Sequence, residues 1–251
     1  MIVASLPMYD WPEFRGATDV FWNGFAKHAS VHGELRRDVE HSELWKQEEL
    51  YFSQTCGYPF THDFKGLLSY VATPHYAVDG CEGPEYCSIV LSREHKPISA
   101  FFGGTAAINA VDSMSGMLAL KLAVAAFVRD GEFFRRAILT GGHRKSLMAV
   151  RNKTADICAV DAVCVALARR YCPQELEGLV EIGRTPMVPG LPFVTRSQIP
   201  NLLVDVLRKT FADTELKDAR QSLFLSDFSV LPDGAYQKIL ALENALPQFN
   251  S

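Results

Sequence analysis

Three segments in close succession, AINAVDSMSG (107–116), AILTGGHRKSLMAV (137–150) and ADICAVDAVCVALARR (155–170), decide how this chain is read. Each opens as an apolar strand and closes as a helix. The passage between the two is made by Asp112-Ser113-Met114-Ser115-Gly116, by Gly141-Gly142-His143 and by Asp161. A helix start carries unpaired N–H groups and a partial positive charge. Serine hydroxyls or glycines at such a start let a small anion come close. In open α/β sheets, ligands collect at the carboxyl ends of strands, where turns of this kind lie. Three of them within 55 residues predict a site for a small, negatively charged molecule.

Outward from this centre, strands continue to alternate with helices. IVASLPMY (2–9), LYFSQTC (50–56), LLSYVATPHY (67–76) and CSIVLSRE (87–94) read as strands on the N-terminal side, and LVEIGRT (179–185) and FVTR (193–196) on the other. Residues 12–32 place Phe14, Ala17, Phe21, Phe25 and Ala29 on one helical face, the spacing of an amphipathic helix. Helical patterns also cover 201–211, 215–225 and the end of the tail, where Tyr236, Ile239, Leu240 and Leu242 are the apolar members. The alternation predicts an α/β fold with a largely parallel sheet. CSIVLSRE and FVTR border the central stretch, so the expected division is lobe 1 from 1–93 plus 194–251, holding both termini, and lobe 2 from 94–193. Two crossing strands make a hinge, and a cleft between lobes is a common ligand site.

Composition narrows the function. The chain has 251 residues, 48% hydrophobic and 22% charged, with a net charge of −4, which is ordinary for a globular protein. No basic run or patch is visible, which argues against nucleic acid as a partner. An anion site must then be local, built from backbone and hydroxyls. No stretch reaches the roughly 18 apolar residues of a membrane span. MIVASLPMYD has neither a positive n-region nor an h-region. The expected compartment is therefore the cytoplasm if Met1 is the native start, and an exported one if a signal was removed. Among the six cysteines, Cys158, Cys164 and Cys172 read as core thiols, while Cys81 and Cys87 could pair if oxidised. No Cys/His spacing suggests a metal, and no lysine is marked as a cofactor anchor, so neither metal nor cofactor is expected.

The order EYCSIVLSRE, NAVDSMSG with its helix, LTGGHRKSLMAV and ADICAVDA resembles the solute-binding proteins of phosphate, phosphite and phosphonate ABC transporters. The resemblance covers nearly the whole chain and is strongest from Tyr86 to Asp161. Its pattern of Ser-Thr-Ser-Gly, then Gly-Ser-His, then an Asp appears here as Ser113-Met114-Ser115-Gly116, Gly141-Gly142-His143 and Asp156 with Asp161. It implies a two-lobed periplasmic-binding-protein-like fold of type 2, with a mixed, mostly parallel sheet flanked by helices in each lobe and two hinge strands. It also implies a monomer that captures an anionic or zwitterionic, phosphonate-like ligand in the periplasm for a membrane permease, without chemistry. The family closes tyrosines of its first lobe over the ligand, which makes Tyr9, Tyr58 and Tyr76 candidates, with Gly57 offering backbone N–H. Two departures stand out: Met114 replaces the middle hydroxyl and keeps only its N–H, and Gly142 replaces a serine.

Each candidate has a plainer reading. Ser113 and Ser115 could cap the helix, and Gly141-Gly142 could be only a turn. His143 could be an exposed first-turn residue; in the site, the helix start would keep it neutral and able to donate one hydrogen bond. Asp161 could hold an amine on a zwitterion such as an aminoalkylphosphonate, or cap its helix. The tyrosines could be packing residues, as Trp11, Trp22 and Trp45 are expected to be. The competing function is a cytoplasmic enzyme or ligand sensor on the same fold, for example a dehydratase, with His143 and Asp161 as a proton-transfer pair.

Overall fold

The computed structural model describes residues 2–249. Its two larger sheets are built from β1 (Val3–Ala4), β2 (Leu50–Gln54), β3 (Ser69–Tyr76), β4 (Ser88–Ser92), β5 (Thr105–Ile108), β6 (Arg136–Leu139), β7 (Ile157–Asp161), β8 (Val180–Arg184), β9 (Phe193–Thr195) and β10 (Leu225–Ser229). The helices that matter below are α1 (Arg15–Ala29), α2 (Ala119–Val124), α3 (His143–Arg151), α4 (Ala162–Tyr171), α5 (Pro200–Ala212) and α6 (Gln237–Asn244). The chain divides into two compact units. One runs to Ala77 and adds Glu82–Pro84 and Pro189–Ala235; the other takes Val78–Cys81, Glu85–Val188 and the chain from Tyr236 on.

In the first unit the sheet order is β1-β2-β9-β3-β10. β1, β2 and β3 point one way, and β9 and β10 run against them. α1 forms where expected, but its buried residues are Thr18, Phe21, Trp22, Gly24, Phe25 and Ala26, a broader face than the predicted Phe14, Ala17, Phe21, Phe25 and Ala29. Phe25 stacks on Phe52 of β2 with ring centroids 4.2 Å apart, and Phe193 of β9 lies 5.0 Å from the same ring. Trp45 is buried too, and its Nε1 donates to Ser53 Oγ at 3.1 Å. β10 falls where only helix was expected at its start: Ser226 and Asp227 are exposed, and Leu225 is the one fully buried residue of this edge strand. An edge strand with one wet face has too few apolar positions to show period 2.

The second unit has the order β8-β4-β7-β5-β6. β5, β6 and β7 form the parallel part, while β4 pairs antiparallel with both β7 and β8. β4 is the first strand of this sheet along the chain, as β9 is the first strand after the chain returns to the other unit, and both run against their sheets' main direction. The expected crossing near residue 93 is thus too late: Ile89, Val90 and Leu91 are already buried in this second sheet. The tail also belongs here and not with the first lobe. Tyr236 and Ile239 are buried, and Lys238 Nζ meets Glu85 at 2.6 Å. No disulfide joins any of the six cysteines, so Cys81 and Cys87 are not paired. No helix among the described residues is long and apolar enough to cross a membrane.

Because Phe52 is fully buried at the centre of the first unit's aromatic stack, Phe52→Ala should cost about 3–5 kcal/mol of stability. A urea unfolding midpoint displaced by the equivalent of less than about 1 kcal/mol would show that the stack is not the core's anchor.

Candidate functional site

β7, β5 and β6 are adjacent and parallel, so their carboxyl ends share one edge of the sheet. All three strand-to-helix turns picked out in the sequence therefore emerge side by side.

At the first turn, Ser113 is extended (φ −95°, ψ 126°) and its Oγ accepts from Gly116 N at 3.0 Å. The helix then opens with a π turn over Met114–Leu118, closed by Leu118 N donating to Ser113 O at 3.0 Å, before α2 begins. A single helix over 117–128 was expected; the chain instead passes from π to α to a 3₁₀ turn at Ala125–Phe127. An i→i+5 closure leaves one more amide outside the ladder than an α turn does, and π turns recur at functional sites. Ser113, Met114, Ser115 and Gly116 are all buried. Gly116 packs closely against Asn109: a Cβ there would lie 1.7 Å from Asn109 Oδ1, so that side chain would have to shift. Asn109 directly follows β5, and its Oδ1 is buried with no hydrogen-bond partner among the described residues.

The second turn is stitched to the first. Thr140 N donates to Ile108 O at 2.8 Å, Gly141 N to Asn109 O at 2.9 Å, and Thr140 Oγ1 to Ile108 O at 3.0 Å. Gly141 adopts φ +81°, a left-handed conformation that glycine takes without penalty. Gly142 is extended (φ 168°) with open space where a Cβ would be, so the serine of the related pattern would fit. His143 starts α3, and its Nε2 lies 2.8 Å from Ser115 Oγ. That hydrogen bond joins the first turn to the second. Nδ1 of the same ring is buried and has no partner among the described residues. Burial lowers the imidazole pKa to about 4, because a charged ring would lose its hydration there.

At the third turn, Asp161 caps α4: its Oδ1 accepts from Val163 N at 2.7 Å and from Cys164 N at 3.4 Å, and the residue is only 1% exposed. Its charge also helps burial raise the thiol pKa values of Cys81 and Cys164 above the usual range, so both stay protonated and unreactive. Asp156 is structural, accepting from Thr105 N at 2.8 Å. The partner of His143 is thus Ser115, and Asp161 Oδ1 is committed to its helix.

The first unit brings together part of the tyrosine set. Tyr9 and Tyr76 meet edge to face at 5.1 Å, and Gln54 Nε2 donates to Tyr76 Oη at 3.1 Å. Tyr58 lies elsewhere in this unit, flat against His62 (centroids 3.8 Å apart, planes 6° apart), on the short helix that starts at buried Gly57. Trp22 is fully buried as expected.

A family model described as the periplasmic substrate-binding protein of a phosphonate ABC transporter matches residues 47–231. The chain belongs to this phosphonate-binding family. Among curated proteins no sequence matches. The fold is that of several solved structures. The binding-protein component of an ABC phosphonate transporter from Pseudomonas aeruginosa superposes with a TM-score of 0.78 at 18% identity, covering 97% of this chain and 85% of that one. A Prochlorococcus marinus protein in complex with methylphosphonate gives 0.76 at 12% identity, covering 97% of each. A Xanthomonas citri protein bound to chloride gives 0.71 at 14%, covering 97% and 96%. The resemblance read from the motifs and the type 2 periplasmic-binding-protein fold are therefore both established.

Two residues of these surroundings escaped the sequence reading. Gln54 was legible in principle, since Leu50, Phe52 and Gln54 alternate onto one face of β2 and a glutamine there must find partners. Asn109 carried no signal, because only the fold brings it against Gly116.

Gly116→Ala should destabilise the protein by about 1–3 kcal/mol through overpacking, and Asn109→Ala in the same chain should recover part of that loss. Equal stabilities of the single and double variants in urea titrations would refute the contact. A second expectation concerns pH. Between pH 6.5 and about 4 the unfolded chain takes up a proton at position 143 that the folded protein excludes, so stability falls as pH drops through that window. His143→Gln should lose less stability than the parent between pH 7 and 4.5.

Proposed function

We propose that this protein captures a phosphonate-like anion at the three adjoining helix starts of its second unit and delivers it to an ABC permease, without chemistry of its own. The observation that carries this reading is the 2.8 Å hydrogen bond between Ser115 and His143, which holds two helix starts together on neighbouring parallel strands. A tetrahedral group offers several acceptor oxygens, and the amides of Met114, Ser115 and Met117, the Ser113 hydroxyl and one remaining donor of the Ser115–His143 pair are of matching type. Met114 contributes only backbone, so the group is held by fewer hydroxyls than the related pattern provides. From the first unit we propose Tyr58 with Gly57, and Tyr9 with Tyr76, as further ligand contacts. Asp161 favours a zwitterionic ligand, its carboxylate charge attracting an amine.

Absence of chemistry is supported by the histidine. A ring with pKa about 4 is a weaker base than free imidazole and is almost wholly neutral at pH 7, so it donates or accepts a hydrogen bond without poising a proton. We also propose that the protein acts as a monomer in the periplasm, where members of its family work.

Calorimetry tests the assignment. Ser115→Ala should weaken methylphosphonate binding by an order of magnitude or more, since a hydrogen bond to a charged group contributes roughly 1.5–3 kcal/mol. Ser113→Ala should do the same and also cost about 1 kcal/mol of stability as a lost cap. Unchanged affinity in both variants would sink the site. Asp161→Asn should reduce affinity for 2-aminoethylphosphonate more than for methylphosphonate; equal reductions would leave Asp161 a cap alone.

A further inference from the structure

We propose that the second unit carries a separate site for a carboxylate with a hydrocarbon tail, between α2, the edge strand β6 and the loop of residues 131–135. A cavity of about 640 Å³ opens there, within the size range of small-molecule sites. Its floor is apolar and firmly held. Leu120 and Phe133, 1% and 2% exposed, belong to the unit's main hydrophobic cluster. Its rim is basic: Lys121, Arg135 and Arg136 line it, against Glu132 as the one carboxylate. Among the described residues none of these three cations is paired with a carboxylate. In a chain of net charge −4, such a local excess of positive charge over a hydrocarbon floor fits an anion with an apolar tail.

The chain itself shows what the cavity accepts. Phe249 reaches one end of it, packs against the hydrophobic cluster and lies under Lys121, whose Nζ is 5.4 Å from the ring centre. Hydrocarbon is thus already seated beside a cation, an arrangement that is favourable in itself. The cavity also reaches β6, where Arg136 and the small Ala137 line it. A carboxylate at the rim would receive guanidinium hydrogen bonds from Arg135 or Arg136, the stronger class of such bonds. None of these residues belongs to the helix-start site proposed above.

Titration calorimetry of the whole protein with dodecanoate, below its micelle concentration, tests the proposal. Saturable binding of one dodecanoate per chain is expected, with dodecyltrimethylammonium binding at least tenfold more weakly. Lys121→Glu combined with Arg136→Glu should weaken dodecanoate at least tenfold. Ala137→Trp, at an exposed edge-strand position, should do so by filling the cavity while leaving the urea midpoint in place. The proposal is overturned by no saturable dodecanoate binding or by equal affinity for the cationic amphiphile. Undiminished binding in the Trp variant would overturn it as well. Adsorption to vesicles of anionic lipid without binding of free dodecanoate would show a membrane surface effect instead, and would equally overturn it.

Discussion

The parallel run of β7, β5 and β6 is the constraint on which the candidate site depends. Parallel neighbours end on the same edge, and each must be followed by a crossover that begins a helix. The first amides of every such helix lack partners within it. Three sets of these donors are therefore delivered to one edge by the strand order alone. The side chains then decide how many are consumed internally. Ser113 takes the Gly116 amide and Asp161 takes those of Val163 and Cys164. The π closure at Leu118 sets another amide outside the ladder.

Electrostatics in the second unit follow two opposite designs. At the helix starts the polar groups are neutral: backbone amides, two hydroxyls and an imidazole that burial keeps uncharged. Fixed dipoles bind an anion without the desolvation that a buried lysine or arginine would suffer, and they discriminate by geometry. At the cavity along β6 the cations sit at the wet rim and keep their hydration, while hydrocarbon forms the floor. Attraction there is less directional, as charge over apolar surface always is.

Much of this was legible along the chain. The helix starts were found because their turn chemistry is local: Ser113 and Asp161 accept from amides two or three residues on, and Gly141 takes the left-handed turn conformation itself. α1 and α5 were found because a 3.6-residue stripe needs no partner to be seen. β10 was missed because an edge strand with exposed Ser226 and Asp227 looks like a loop until β3 is beside it. The lobe boundary was placed too late for a related reason. CSIVLSRE is apolar enough for either sheet, and only its pairing with β7 and β8 assigns it.

The sequence by itself determined the α/β class, the three strand-to-helix turns and the family, since each rests on neighbours within a few residues or on motif order. Only the tertiary structure decided that Ser115 and His143 share a hydrogen bond, that the Asn109 side chain lies against Gly116, and that Gln54 reaches Tyr76. It also decided that Lys121, Arg136 and Phe249 surround one cavity. Those contacts join residues 7 to 128 positions apart, and no local rule of propensity or spacing encodes a distance that strand order alone brings about.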